Sequence, residues 1–339
     1  MQRAQSIEFE IPKGPGAMRS ANGGAVEALD AALAASMGGA NVLHGFDPRR
    51  IVAFAAGGPP VWSVAFASRD GHHQFLTYGL SRAVDPASPF PFELALRVRD
   101  PNPAPMWPVM LLRSIARYHF STGRVIAPGQ FIDLGGPISQ APVTPAERHT
   151  MPTTHMTAIM TLGGATIPTP HGPIALHNVL GIDARECELL QSCRAESFMR
   201  ELAKRNPGYV VALDGPSLAD DATFVGAIEE AARREGSDCQ AVCVPGLRWA
   251  DDGSAFDITI PAEHAGRLRR RILSRLPFGQ GLLAHTDQPG PGGEILFLPA
   301  ASVDVPEADE RRLTLEVPHE SPYVSLLADG NRATWKLRY

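Results

Sequence analysis

The chain has 339 residues, of which 44% are hydrophobic and 20% charged, with a formal net charge of −5 at pH 7. Such usage belongs to folded globular proteins, so it excludes disordered and fibrous classes, and the length suits two domains rather than one. With lysine confined to Lys13, Lys204 and Lys336 and the net charge negative, no basic stripe is available to displace counterions from a phosphate backbone, so nucleic acid is not an expected partner.

Residues 1–23 are rich in Gly, Pro and Ser and read as a flexible arm, and Glu8 and Glu10 interrupt any apolar signal region. No run reaches the roughly 18 apolar residues of a membrane span. A cytoplasmic protein with no membrane contact is therefore expected. Arginine used in place of lysine, with abundant Ala, Gly and Pro, matches the composition of a GC-rich bacterial proteome.

Val26, Leu29, Leu33 and Met37 recur at helical spacing and predict an amphipathic helix over 25–37, with Asp30 and Ser36 pointing away from the apolar side. Gly57-Gly58-Pro59-Pro60 is a turn. Two β-prone runs, 61–68 and 73–81, flank Arg69-Asp70-Gly71 and predict a hairpin. Over 89–99, Phe92, Leu94, Leu96 and Val98 alternate with Glu93, Ala95 and Arg97, the pattern of a half-buried strand.

Pro108 suits a first helical position, where its missing N–H costs nothing. The helix that follows buries Leu111, Leu112, Ile115, Ala116 and Tyr118 in a wide arc, and His119 falls inside it as a core histidine. Residues 124–136 predict a strand interrupted at Pro128-Gly129. Strand-like runs at 156–164 and 169–182, a single helix over 184–205 and a short closing segment complete a first domain, 24–221. A second, smaller domain, 222–339, reads as a helix over 222–236, a strand at FDITI, a helix carrying Leu268, Ile272 and Leu276, further strands at 294–305 and 311–318, and a terminal hairpin around Asp329-Gly330-Asn331. The expected fold class is α+β.

Enzyme motifs are missing: there is no G-x-S-x-G elbow, no Walker loop, no H-E-x-x-H and no dinucleotide-binding glycine fingerprint. Cys187, Cys193, Cys239 and Cys243 lack C-x-x-C spacing and read as free thiols, not zinc ligands. His72 and His73 are adjacent in a strand, so they point to opposite faces and cannot both ligate one ion. Asp251-Asp252-Gly253-Ser254 lacks the later ligands of a calcium loop and reads as a turn. Glu186 and Glu188, two apart on a helix, do not face each other. No metal or cofactor is expected.

Five blocks carry a resemblance: GGP at 57–59, HHQFLTYGLS, FPFELALRV, PMWPVMLLRSIARYHF with GQFIDLGGPI, and TPHGPIALHNVLGI. In order and spacing, over about residues 40–215, they resemble the Suppressor of fused (SUFU) domain family, here a bacterial member. FDITIPAEHAGRLRRRILSRLPFGQGLLAHT with EILFLP is similar to the smaller C-terminal domain of longer members. The resemblance implies a mixed or antiparallel sheet with packed helices followed by a smaller α+β domain. It also implies non-enzymatic capture of an extended peptide or protein by strand addition in a groove between two domains. For bacterial relatives it implies accessory or immunity roles, with a toxin as partner.

Carried over residue by residue, the resemblance puts Tyr118 beside the peptide and Gln130 where the family has an aspartate, with Asp133 three positions later. The strand at His72 also contributes, although His73 and Gln74 depart from the family pattern. Expected partner-binding residues are Tyr118, Gln130, Asp133 and His72. Two alternatives stand beside this reading: an enzyme, a hydrolase built on His72, His119, His155 or His171, and a structural subunit of a larger assembly.

Overall fold

The computed structural model describes residues 14–45, 63–86, 88–99, 104–140, 152–251, 255–287, 290–300, 307–308, 312–317 and 333–338. The turn expected at 57–60, most of 251–254 and the tip of the terminal hairpin lie outside them. The chain divides into two compact units, residues 1–184 with 206–216, and residues 185–205 with 217–339. Residues 185–205, assigned by sequence to the first domain, thus group with the second.

The first unit opens with α1 (Gly14–Ser36), which begins inside the segment expected to be a loose arm. Its early glycines and Pro15 depress helix propensity, and that is why periodicity over 25–37 registers only the second half. β1 (Leu43–Gly45), β2 (Ser63–Arg69), β3 (His72–Tyr78) and β4 (Phe92–Arg99) follow. The β2–β3 hairpin is the expected one, and its two-residue loop places both Asp70 (φ 51°) and Gly71 (φ 73°) in the left-handed region that matches strand twist.

α2 (Trp107–Thr122) starts with Pro108 in its first turn and stops at Gly123, whose φ of 66° lets its N–H bond the His119 carbonyl. The chain then gives β5 (Phe131–Asp133), β6 (Ala158–Ile167), β7 (Ile174–Ile182) and, after the helices of the second unit, β8 (Val210–Val211). The strand order is β1-β2-β3-β4-β7-β6-β5, with β8 pairing β4 beyond β7. β4 runs parallel to β7 and β8 and every other pair is antiparallel, so the sheet is mixed.

Both faces of this sheet are covered, which changes the reading of β4. Ala25, Leu29 and Leu33 of α1 share a core with Leu76, Tyr78 and Ala95, while Phe92 meets His119 of α2 on the opposite face. The alternation Phe92/Glu93/Leu94/Ala95 therefore separates two buried faces, not core from solvent. Asp30 does not point away either. Its carboxylate accepts hydrogen bonds from Tyr78 Oη at 2.7 Å and pairs with His44 Nε2 at 2.9 Å, tying α1 to β3 and β1. Ser36 is exposed and donates to Gln74 Oε1 at 3.3 Å. Tyr78→Phe keeps the buried ring and removes one charge-assisted bond, so a loss of about 2 kcal/mol in urea unfolding is expected. No measurable loss would mean that Asp30 is held without the tyrosine.

In the second unit the helix expected over 184–205 is two, α3 (Ala184–Ser192) and α4 (Ala195–Arg205). Ser192 Oγ bonds back to the Leu189 carbonyl, the local alternative that competes with the helical ladder, and the break falls at Cys193-Arg194. Asp221 caps α5 (Ala222–Glu235) by accepting from Thr223 and Phe224 N–H. β9 (Ala241–Cys243), β10 (Arg248–Asp251), β11 (Ala255–Ile260), α6 (Ala262–Leu273), β12 (Leu282–His285), β13 (Glu294–Pro299), β14 (Glu307–Ala308), β15 (Arg312–Val317) and β16 (Ala333–Arg338) complete it. They form a three-stranded sheet, β10-β11-β16, and a five-stranded one, β14-β15-β13-β12-β9, around a core that includes Leu268, Ile272 and Leu276 as expected. No helix among the described residues is long and apolar enough to cross a membrane.

Candidate functional site

β5 is the end strand of the first unit's sheet, and its hydrogen-bond register shows what it leaves open. Leu134 N–H bonds Thr157 O and Thr161 N–H bonds Gln130 O, so even-numbered residues of this segment bond inward to β6. Phe131 and Asp133, the odd ones, direct their N–H and C=O groups outward. Among the described residues no strand pairs with that side. An edge of this kind is a template for an added strand.

The residues expected to bind a partner distribute unevenly around it. Gln130 is exposed, and its side chain closes the Pro128-Gly129 turn: Oε1 accepts from Ala127 N–H at 3.0 Å while its own N–H bonds the Ala127 carbonyl. It sets the entry to β5. Asp133, also exposed, accepts from Gly135 N–H at 2.8 Å and so turns the chain out of the strand.

Tyr118 is half-buried on α2, a turn before the connection to β5. Its ring meets His119 edge-on at 6.0 Å and its carbonyl accepts from Thr122 Oγ1. His72 stands apart. It begins β3, and β4, β7 and β6 lie between β3 and β5, a lateral separation of roughly 19 Å.

The four histidines considered for catalysis share no hydrogen bond or ring contact with one another among the described residues. His119 is fully buried. Its Nδ1 lies 2.7 Å from the Arg124 carbonyl, and its ring packs between Phe90 and Phe92. Burial pulls its pKa below the usual histidine value, against the Arg124 bond. His177 stacks on Phe92 at 4.2 Å and is lowered in the same direction, by burial first and by His119 second. His155 lies 3.9 Å from Asp183, and His171 is exposed in a turn. Cys187 and Cys193 are buried, Cys239 and Cys243 half-buried, and no disulfide joins any of them.

Three polar features escaped the sequence reading. Glu93 is wholly buried and accepts five hydrogen bonds, from Gly79, Leu80 and Ser81 N–H and from the Thr77 and Ser81 hydroxyls. Its five donors come from β3 and the segment after it, so no local pattern announces the role. Arg271 and Arg275 of the second unit are also buried. Here a signal existed: they follow Leu268 by three and seven residues, on the same helical stripe. The second unit also has a groove of about 600 Å³ lined by Leu189, Val225 and Leu273. Arg185 and Arg233, which also line it, pair with Asp220 and Glu230.

The family model described as Suppressor of fused protein (SUFU) matches residues 57–214. No curated protein matches the chain. Among solved structures, Drosophila Suppressor of Fused is similar with a TM-score of 0.62 at 16% identity, over 90% of this chain and 89% of that one. A structure of a Sufu–Fu complex reaches 0.47 at 18% identity, over 59% and 94%. A putative SUFU homolog from Neisseria gonorrhoeae reaches 0.40 at 12% identity, over 58% and 96%. The Drosophila match extends the likeness of fold beyond residues 57–214, and the matched residues contain β2 to β8 of the mixed sheet, α2 and the open edge of β5. Residues 57–214 of the chain thus match the Suppressor of fused family, and the fold that surrounds them is that of Drosophila Suppressor of Fused.

Proposed function

We propose that the protein is a non-enzymatic binding module that captures a protein partner by adding an extended segment of it to β5. The observation that carries this reading is the outward-facing backbone of Phe131 and Asp133 on the end strand of the first unit's sheet. Backbone pairing would supply affinity, and neighbouring side chains, Tyr118 first among them, would select the partner's residues. The family resemblance supports the same mode. A toxin is the partner class to test first, with neutralisation as the role, and the cytoplasm the compartment in which the protein acts.

Asp133→Pro tests it. Proline at this position removes an N–H that bonds nothing inside the sheet, and the preceding residue is already extended, so the fold should survive. In a pull-down from host lysate, partner capture should fall at least about tenfold for Asp133→Pro. Tyr118→Ala should weaken it as well, and Asp133→Ala, which keeps the N–H, should retain it. Capture undiminished by a folded Asp133→Pro protein would remove β5 as the docking edge. Turnover of hydrolase substrates that disappears on substituting His72, His119, His155 or His171 would overturn the non-enzymatic reading itself.

A further inference from the structure

At the far side of the same sheet the strand register sets a histidine between two arginines. Arg69 of β2 stands directly opposite His72 of β3, and His72 directly opposite Arg99 of β4. Residues paired this way share a face, with Cβ atoms about 5 Å apart. Arg97, two residues before Arg99, lies on the same face.

Part of this cluster has a structural account. The Arg97 guanidinium donates two bonds to Gln74 Oε1, at 2.6 and 3.0 Å, and reaches the Ser36 carbonyl at 3.5 Å. The Arg69 guanidinium lies against Gly38 just past the end of α1, so close that a side chain at Gly38 would occupy its place. Both cations thus sit at the carbonyl end of that helix, where positive charge is favoured.

That account stops short of His72 and Arg99, which make no hydrogen bond or ion pair among the described residues. The sole carboxylate that pairs with the row among those residues is Asp70, 3.3 Å from Arg69 Nε, with both side chains largely exposed. A pair so exposed contributes little.

We infer that the Arg69–His72–Arg99 row, backed by Arg97, is a docking surface for an acidic segment of a protein partner. The inference does not rest on the β5 edge, from which three strands separate β3. The charge argues for this occupant: a cationic row on a chain whose net charge is −5 is local, not a by-product of a basic protein. Size argues the same way. Three strands span roughly 10 Å, the reach of two carboxylates on alternate residues of an extended peptide, and arginine's planar fork matches a carboxylate in shape. A phosphate backbone would need a longer track of cations than three strands provide.

The test is fluorescence anisotropy with a labelled oligoglutamate peptide on the full chain. Wild type should bind at low salt and release the peptide as salt is raised through the physiological range. Arg69→Glu/Arg99→Glu should bind about tenfold more weakly. Arg99→Gln alone, at an exposed position that cannot unfold the sheet, should weaken binding about threefold. Arg233→Glu/Arg234→Glu, which removes two arginines of the second unit, should bind as wild type does. Failure of wild type to bind, equal binding by the folded double variant, or an equal loss in the second-unit control would each overturn the proposal. Tighter binding of a single-stranded oligonucleotide than of the peptide would also overturn it, and would give the row to a different class of partner.

Discussion

Glu93→Ala is expected to lower the free energy of unfolding by about 4 kcal/mol, because it strips five buried donors of their shared acceptor and returns nothing to three backbone N–H groups and two hydroxyls. Glu93→Gln should cost less, since one amide oxygen still accepts. The pH dependence of that second variant is the more informative measurement. Burial pushes the Glu93 carboxyl up to about 7 from 4.5, with the Thr77, Ser81 and Gly79 bonds pulling it back.

A place for the proton exists. Thr77 Oγ1, 2.6 Å from Oε2, can accept from the carboxyl and turn its own hydrogen toward the Leu94 carbonyl at 3.5 Å, whereas the backbone N–H groups around Oε1 can only donate. A folded pKa above the unfolded value means that the native state holds the proton more tightly. The stability this provides is complete below pH 4.5 and is lost as pH rises through 7, a span of about 3 kcal/mol. Glu93→Gln has no such proton. The margin of wild type over Glu93→Gln in urea unfolding should therefore shrink by about that amount between pH 4.5 and 7.5.

His119 and His177 act in the opposite direction, because their lowered pKa values cost stability as pH falls below 6.5. Both proteins contain them, so they cancel in the comparison. A margin that stays flat across the range would show that the five donors keep Glu93 ionised throughout.

The same residue marks the boundary of what the sequence could tell. The β2–β3 hairpin, α2 with its Pro108 start and Gly123 stop, and the capped α5 were all legible, because each is specified by residues within a few positions of itself. The two-faced burial of β4 was not. Alternation along a strand distinguishes two faces but not whether the second face meets water or another helix, and only α1, some sixty residues earlier, decides that here. Asp30 was misplaced for the same reason, its partners being His44 and Tyr78. The candidate site residues were named from the family resemblance, and their geometry was not legible. Gln130 and Asp133 belong to β5 and its entry and Tyr118 to α2, while His72 belongs to a surface that appears only once the register sets it between Arg69 and Arg99.

Arg271→Met is expected to leave the second unit as stable as wild type or to raise it by about 1 kcal/mol, while Arg271→Ala lowers it by about 2–3 kcal/mol. The contrast follows from how the guanidinium is held. Arg271 is 2% exposed on α6, and its Nη2 donates to the Glu188 carbonyl at 3.1 Å and to Gln191 Oε1 at 3.2 Å, docking α6 against α3. Its Nε and Nη1 have no partner, and both acceptors of Nη2 are neutral. Burial pulls its pKa down to about 10, so it still carries its charge at neutral pH.

A buried cation with no carboxylate to meet it loses more hydration than two neutral acceptors return. The side chain's three-carbon stem is a separate matter, because that stem fills space. Methionine keeps the volume and removes the charge. Alanine removes both, and the difference between the two variants is the packing alone. Urea unfolding of both beside wild type decides it. If Arg271→Met falls as far as Arg271→Ala, the two bonds to α3 outweigh the desolvation of the charge, and the arginine holds the helices together through its head, not its stem.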